Sequence, residues 1–168
     1  MTSIRLPHDP IELAREHWLR RGWSDAADGM ALVTSIMRIQ QELLARVDHE
    51  LRPFQLTFAR YEVLMLLEFS QQGQLPLGKI GERLQVHPAS VTNVVQRLAD
   101  DGLLSRAPNP ADGRSVLATI TPAGSDAATA ATEHLNQHVF SNLPLEPADQ
   151  IAIYDRLTTV RQAFGDFA

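Results

Sequence analysis

Apolar residues recur every three to four positions through most of this chain, with two short interruptions where they alternate instead. Ile11, Leu13, Ala14, Trp18 and Leu19 suit a short amphipathic helix from Pro10 to about Arg21, ended by Gly22. Residues 24–29, Ser-Asp-Ala-Ala-Asp-Gly, read as a connector. Val33, Ile36, Met37, Leu43, Leu44, Val47 and Leu51 then place a long helix over Met30–Leu51, which Arg52-Pro53 ends. Thr57 is positioned to cap a third helix, Phe58–Phe69, and Gln71 to Gln74 form a loop.

A short helix from about Gly78 to Leu84 buries Leu77, Ile80 and Leu84, and Gln85-Val86-His87 makes a turn. Pro88 opens the next helix, where its missing N–H costs nothing, and Gly102 suits the left-handed position after its end at about Asp101. The runs Leu103–Arg106 and Val116–Ile120 read as strands around the polar loop 107–114. Thr121-Pro122 starts a helix to about Leu143, and Glu146-Pro147 starts a last one that Gly165 ends. The pattern predicts a mainly α fold with a small β wing: a winged helix-turn-helix over about 53–121, flanked by N- and C-terminal helices. Residues 1–29 form an extension with its own short helix, ahead of a domain spanning 30–168.

Composition narrows the picture. With 168 residues and an apolar share of 44%, one globular domain with extensions is expected. There is no cysteine, which excludes disulfides, cysteine-ligated zinc and thiol-based sensing. The stretch Met1 to Pro10 lacks the apolar core of a signal peptide, and the longest apolar run, Val63–Leu67, is far short of the ~20 residues of a membrane helix. A cytoplasmic protein without a membrane partner is the expectation. The net charge of −5 is unevenly spread: residues 75–115 carry five basic and four acidic side chains, a net +1, which leaves −6 for the rest. Where the arginines sit therefore matters more than the total.

The helix after Pro88 carries the clearest chemistry. At about 100° per residue, Val91, Val94, Val95 and Leu98 share one side, while Ala89, Asn93, Gln96 and Asp100 lie opposite, flanked by Ser90, Thr92 and Arg97. Asn and Gln amides can pair bidentately with adenine, and Ala or Thr methyls can meet the thymine methyl. Ser90, Thr92 and Arg97 suit phosphates. On the wing, Arg114 can enter a narrow minor groove, with Asp112 orienting it through an ion pair. An ordinary solvated helix face would carry the same residue types. The helix-turn-helix order and the wing favour double-stranded DNA.

These residues resemble the MarR-type winged helix-turn-helix transcriptional regulators. The likeness rests on Leu77-Gly-Lys-Ile-Gly-Glu-Arg-Leu84, Val86-His-Pro-Ala-Ser-Val-Thr92, Gln96-Arg-Leu98 and Asp101-Gly-Leu-Leu104. It continues through Asp112-x-Arg114 and Leu117-x-x-Ile-Thr-Pro-Ala-Gly124. The order and spacing match over roughly residues 30–165. The resemblance implies a homodimer joined through both terminal regions, about 30–51 and 122–165, on a palindromic DNA site. It also implies a repressor released by a small planar or phenolic effector. One departure is Gly113, where family members commonly carry a second basic wing residue. The tryptophan-bearing extension is similar to that of the urate-responsive branch. Glu62 could supply that branch's acid, but its recognition-helix arginine falls on Val94, which cannot pair with an anion.

Trp18, Trp23, His17, Arg38, Tyr61 and Glu62 are thus the effector-pocket residues to examine, although core packing would explain each of them singly. His134 and His138, four apart, share a helix face and could ligate a metal with Glu133 or an acid from elsewhere, but two exposed histidines are the plainer reading. No metal and no cofactor is assigned. GxSxG, HExxH and phosphate-loop signatures are absent, so an enzyme is not expected. The alternative is a winged-helix protein-interaction module without sequence-specific DNA binding.

Overall fold

The computed structural model describes residues 6–167. Residues 1–5, part of the stretch read as lacking a leader's apolar core, lie outside the described residues. Seven α-helices and three strands follow in the order α1 (Pro10–Arg20), α2 (Ser24–Leu51), α3 (Phe58–Glu68), β1 (Gln74–Pro76), α4 (Leu77–Leu84), α5 (Pro88–Asp100), β2 (Leu104–Asn109), β3 (Asp112–Ile120), α6 (Pro122–His138) and α7 (Pro147–Ala163). Short 3-10 turns at Arg52–Phe54 and Phe140–Asn142 follow α2 and α6.

The connector expected at 24–29 is instead the first part of α2, and the chain turns only through Arg21, Gly22 and Trp23. Gly22, at φ +82°, makes that turn. Gly29 inside a helix costs only about 1 kcal/mol, and Ala27, wholly buried where α1 packs on α2, offsets it. The loop expected around residue 74 gives way to strand β1, which pairs antiparallel with β3 (Leu75 opposite Ala118). β3 is the central strand, in the order β1-β3-β2. The wing strands run further than expected, so the polar loop 107–114 shrinks to a tight turn at Pro110-Ala111, with a register shift at Pro108/Asn109. The helix expected to reach Leu143 stops at His138.

The core lies between α3, α4, α5, α6 and the sheet. Leu51, Leu64, Leu67, Ile80, Val95, Leu98 and Leu135 are completely buried there. Side chains distant in sequence fix how the helices meet. The Asp48 carboxylate on α2 accepts a 2.7 Å bond from the Phe58 N–H at the start of α3. Thr121 caps α6 by accepting from the Gly124 N–H (3.1 Å), while its hydroxyl donates to the Gly102 carbonyl (2.8 Å). Arg60, nearly buried on α3, forms an ion pair with Asp101 just past α5 and donates to the Gln55 carbonyl at 2.8 Å. That pair ties the end of α5 to the body of the domain.

α7 stands apart. Among the described residues it makes no substantial packing contact with another element, and Ile151, Ile153, Tyr154, Leu157 and Val160 along it are exposed.

Candidate nucleic-acid interface

α5 is the second helix of the helix-turn-helix. Its start is built by the turn residue His87, whose Nδ1 accepts from the Ala89 N–H at 3.2 Å, with Pro88 at the first helical position. In the sequence His87 is legible only as part of a turn. The signal that identifies it is its place directly before a proline that opens a helix. Val91, Val95 and Leu98 are buried and Val94 half-buried, whereas Ala89, Ser90, Thr92, Asn93, Gln96 and Arg97 are exposed.

The exposed polar groups are not equivalent. Asn93 has no side-chain hydrogen-bond partner among the described residues, so both sides of its amide are free. Gln96 is engaged: its Nε2 donates to Asp100 at 2.7 Å, and its Oε1 accepts from Arg106 on β2. A Gln96 that paired with a base would first have to leave Arg106 and Asp100. The Thr92 hydroxyl donates back to the Pro88 carbonyl at 3.0 Å. Arg106, which the sequence reading did not single out, joins the wing to the recognition helix through Gln96. Only the tertiary pairing of β2 with α5 reveals it.

At the wing tip Asn109 organises the turn. Its Oδ1 accepts from the Ala111 N–H at 3.0 Å, and its Nδ2 donates to the Ser115 hydroxyl at 2.9 Å. Asp112 and Arg114 are both exposed. The ion pair expected between them is not formed: the Asp112 carboxylate accepts from the backbone N–H of Arg114 at 3.1 Å instead. Asp side chains commonly bond a backbone N–H two residues on in turns. The carboxylate therefore shapes the backbone, and among the described residues the Arg114 guanidinium has no ion-pair partner.

The residues expected around an effector pocket are not gathered into one cleft. Trp18 on α1 meets Trp23 edge-on at 5.3 Å between ring centroids, and Arg21 lies 6.0 Å from the Trp23 ring centre. Open clefts beside Trp18 are lined by Gly22, Trp23, Asp25 and Ala26, and by Met30, Val33 and Thr34 of α2. Neither is lined by Arg38, Tyr61 or Glu62. Arg38 is exposed on α2, and His17 is exposed on α1, 3.1 Å from Arg20. Tyr61 is buried, its hydroxyl 3.0 Å from that of Thr132. Glu62 is half-buried on α3, and burial pushes its carboxyl above the usual range.

His134 and His138 stack at 4.0 Å. The acid that joins them is Glu50 from the end of α2, whose Oε2 lies 2.8 Å from His134 Nε2. The hydrogen bond from His134 holds the Glu50 carboxyl below its usual range.

The fold and this helix-plus-wing surface are those of a transcriptional regulator, and comparison with known proteins identifies the family. The sequence signature of the MarR family matches residues 56–116. The HTH-type transcriptional regulator Mb0904 of Mycobacterium bovis, whose own function is uncharacterised, is 32% identical over 108 residues, 64% of this chain and 71% of that protein. Sco5413, a MarR family transcriptional regulator from Streptomyces coelicolor, superposes with a TM-score of 0.78 at 49% identity, covering 83% of this chain and 97% of that one. BpsR of Bordetella bronchiseptica, whose DNA binding is regulated by 6-hydroxynicotinic acid, superposes at 0.68 with 28% identity, covering 77% and 97% of the two chains. The chain belongs to the MarR family of transcriptional regulators, and it is not an enzyme. No described helix is long and apolar enough to cross a membrane.

Proposed function

We propose that this chain acts as a homodimeric repressor that reads a palindromic DNA site and is released by a small planar or phenolic anion. The observation that carries the DNA reading is the outward face of α5. There Asn93 presents an unengaged amide among Ala89, Ser90, Thr92 and Arg97, with Arg114 on the adjoining wing. In this reading Asn93 discriminates bases, Ser90, Thr92 and Arg97 hold phosphates, and Arg114 supplies charge to the minor groove. Asp112 serves the interface by supporting the wing backbone beneath Arg114.

The dimer reading rests on α7 and α2. A groove between them is lined by Leu32, Ile36, Ile39, Leu145, Ile153 and Leu157. Contiguous apolar surface of this kind is costly in water and marks an interface. The partner of α7 is then a second copy of the chain, which fits a palindromic site. The effector reading rests on the Trp18–Trp23 cleft, with Arg21 as the nearby cation, and on the effector class of the relative BpsR. Arg38, Tyr61 and Glu62 take part only if the second subunit or a domain movement brings them to that cleft.

A gel shift on the DNA upstream of the chain's own gene, repeated over a series of salt concentrations, tests the proposal. Retarded complexes that weaken as salt rises support it, because phosphate binding releases counterions. Absence of any shift at low salt overturns it.

A further inference from the structure

We infer that Glu50, His134 and His138 form a binding site for a divalent transition-metal ion, with zinc as the ion these donors fit best. The three residues come from two helices, and each offers one ligand atom. Those atoms all lie within 4.8 Å of one another. Zinc bonds nitrogen and carboxylate oxygen at about 2.0–2.2 Å, so an ion placed between them would replace the 2.8 Å hydrogen bond between His134 and Glu50 and bring His138 to the same centre.

Three details support a site over a chance grouping. His138 Nδ1 lies 2.9 Å from the His134 carbonyl oxygen, the position of an N–H donating to a backbone acceptor. That bond leaves the Nε2 lone pair of a neutral imidazole available, as in metal-ligating histidines held by a backbone carbonyl. The cluster is also partly sheltered: Glu50 and His134 are half-buried, and Phe54 packs edge-on against His134 at 5.4 Å. Arg46, the neighbouring cation on α2, is engaged by the backbone, its guanidinium donating to the His138 carbonyl at 2.9 Å. Two imidazoles and one carboxylate suit zinc or a neighbouring transition ion. Magnesium and calcium require shells dominated by oxygen. Three protein ligands leave a fourth position for water.

The ion would join the last turn of α2 to the last turn of α6, two helices flanking the winged helix. This inference is independent of the effector and DNA readings above.

The test uses the chelator-stripped full-length protein. Zinc is titrated in competition with a chromophoric chelator, and cobalt is titrated separately while visible absorption is recorded. One equivalent per subunit is expected, with cobalt giving the stronger visible bands of a four- or five-coordinate ion. Glu50→Gln and His138→Ala should each weaken zinc binding at least about ten-fold, and Glu133→Gln should leave it unchanged. Far-UV circular dichroism establishes that each variant is folded, and the exposed His138 makes His138→Ala the safer arm. The site is refuted if the unaltered protein binds zinc no more tightly than His138→Ala, or if cobalt shows only the weak spectrum of its hydrated ion.

Discussion

A Cβ added to Gly124 in the first turn of α6 would overlap the carbonyl oxygen of Leu103, at the start of the wing. The same carbonyl accepts the Thr121 N–H at 3.1 Å. Gly124 is therefore required by a close approach of two backbones, at the point where the wing hands over to α6. Gly124→Ala should destabilise the fold by about 1–3 kcal/mol, the usual cost of overpacking, read as a lowered midpoint in urea unfolding. An unchanged midpoint would mean that the approach relaxes without cost.

Glu62 makes the domain's stability depend on pH. Burial raises its folded-state pKa above the value of the unfolded chain. Its contribution is therefore fully present below the unfolded pKa and is lost as pH rises through the folded one. Glu62→Gln should raise the melting temperature at pH 7 and change it little at pH 4. Equal effects at the two pH values would show that ionisation of Glu62 is not what opposes folding. Glu50 runs the other way. Its pKa is depressed by the bond from His134, so its contribution is present above the unfolded pKa and disappears as pH falls through the folded one.

The α7 face should be needed for association. Ile153→Asp places a charge on the groove between α2 and α7 while leaving the core of the subunit untouched. The unaltered protein should show a dimeric mass in light scattering at micromolar concentration, and the variant should shift toward the monomer. A monomeric mass for the unaltered protein would remove the dimer.

Trp18→Phe should retain DNA binding and change the response to a planar aromatic anion, with salicylate as the probe. If salicylate releases DNA equally from both proteins, Trp18 is not part of the effector site.

Much of the architecture was legible because it is written locally. The valine and leucine stripe of α5, Pro88 at its first turn, Gly102 at φ +73° and the Thr121 cap of α6 are short-range signals. Strand β1 was not legible, because three residues ending in a proline carry no alternation, and only β3 gives them a partner. The start of α2 is not legible, because Ser, Asp and Gly at 24–29 look like a linker until α1 packs across them. The site was legible to the same degree. Outward positions on α5 followed from helical period, but the engagement of Gln96 by Arg106 and the grouping of Glu50 with His134 join residues that only the folded chain brings together. The partner of Asp112 is not legible, because the sequence shows a nearby charge and not the turn that captures its carboxylate.

The central claim is that α5 reads bases while the wing grips charge. It is tested most directly by measuring affinity for a selected site and for a scrambled duplex across several salt concentrations. Asn93→Ala should weaken binding to the selected site by about 1–3 kcal/mol and spare the scrambled duplex. Arg114→Ala should weaken both and flatten the salt dependence, since each subunit loses one cation. Equal losses on both duplexes for Asn93→Ala, or an unchanged salt slope for Arg114→Ala, would contradict that division of roles.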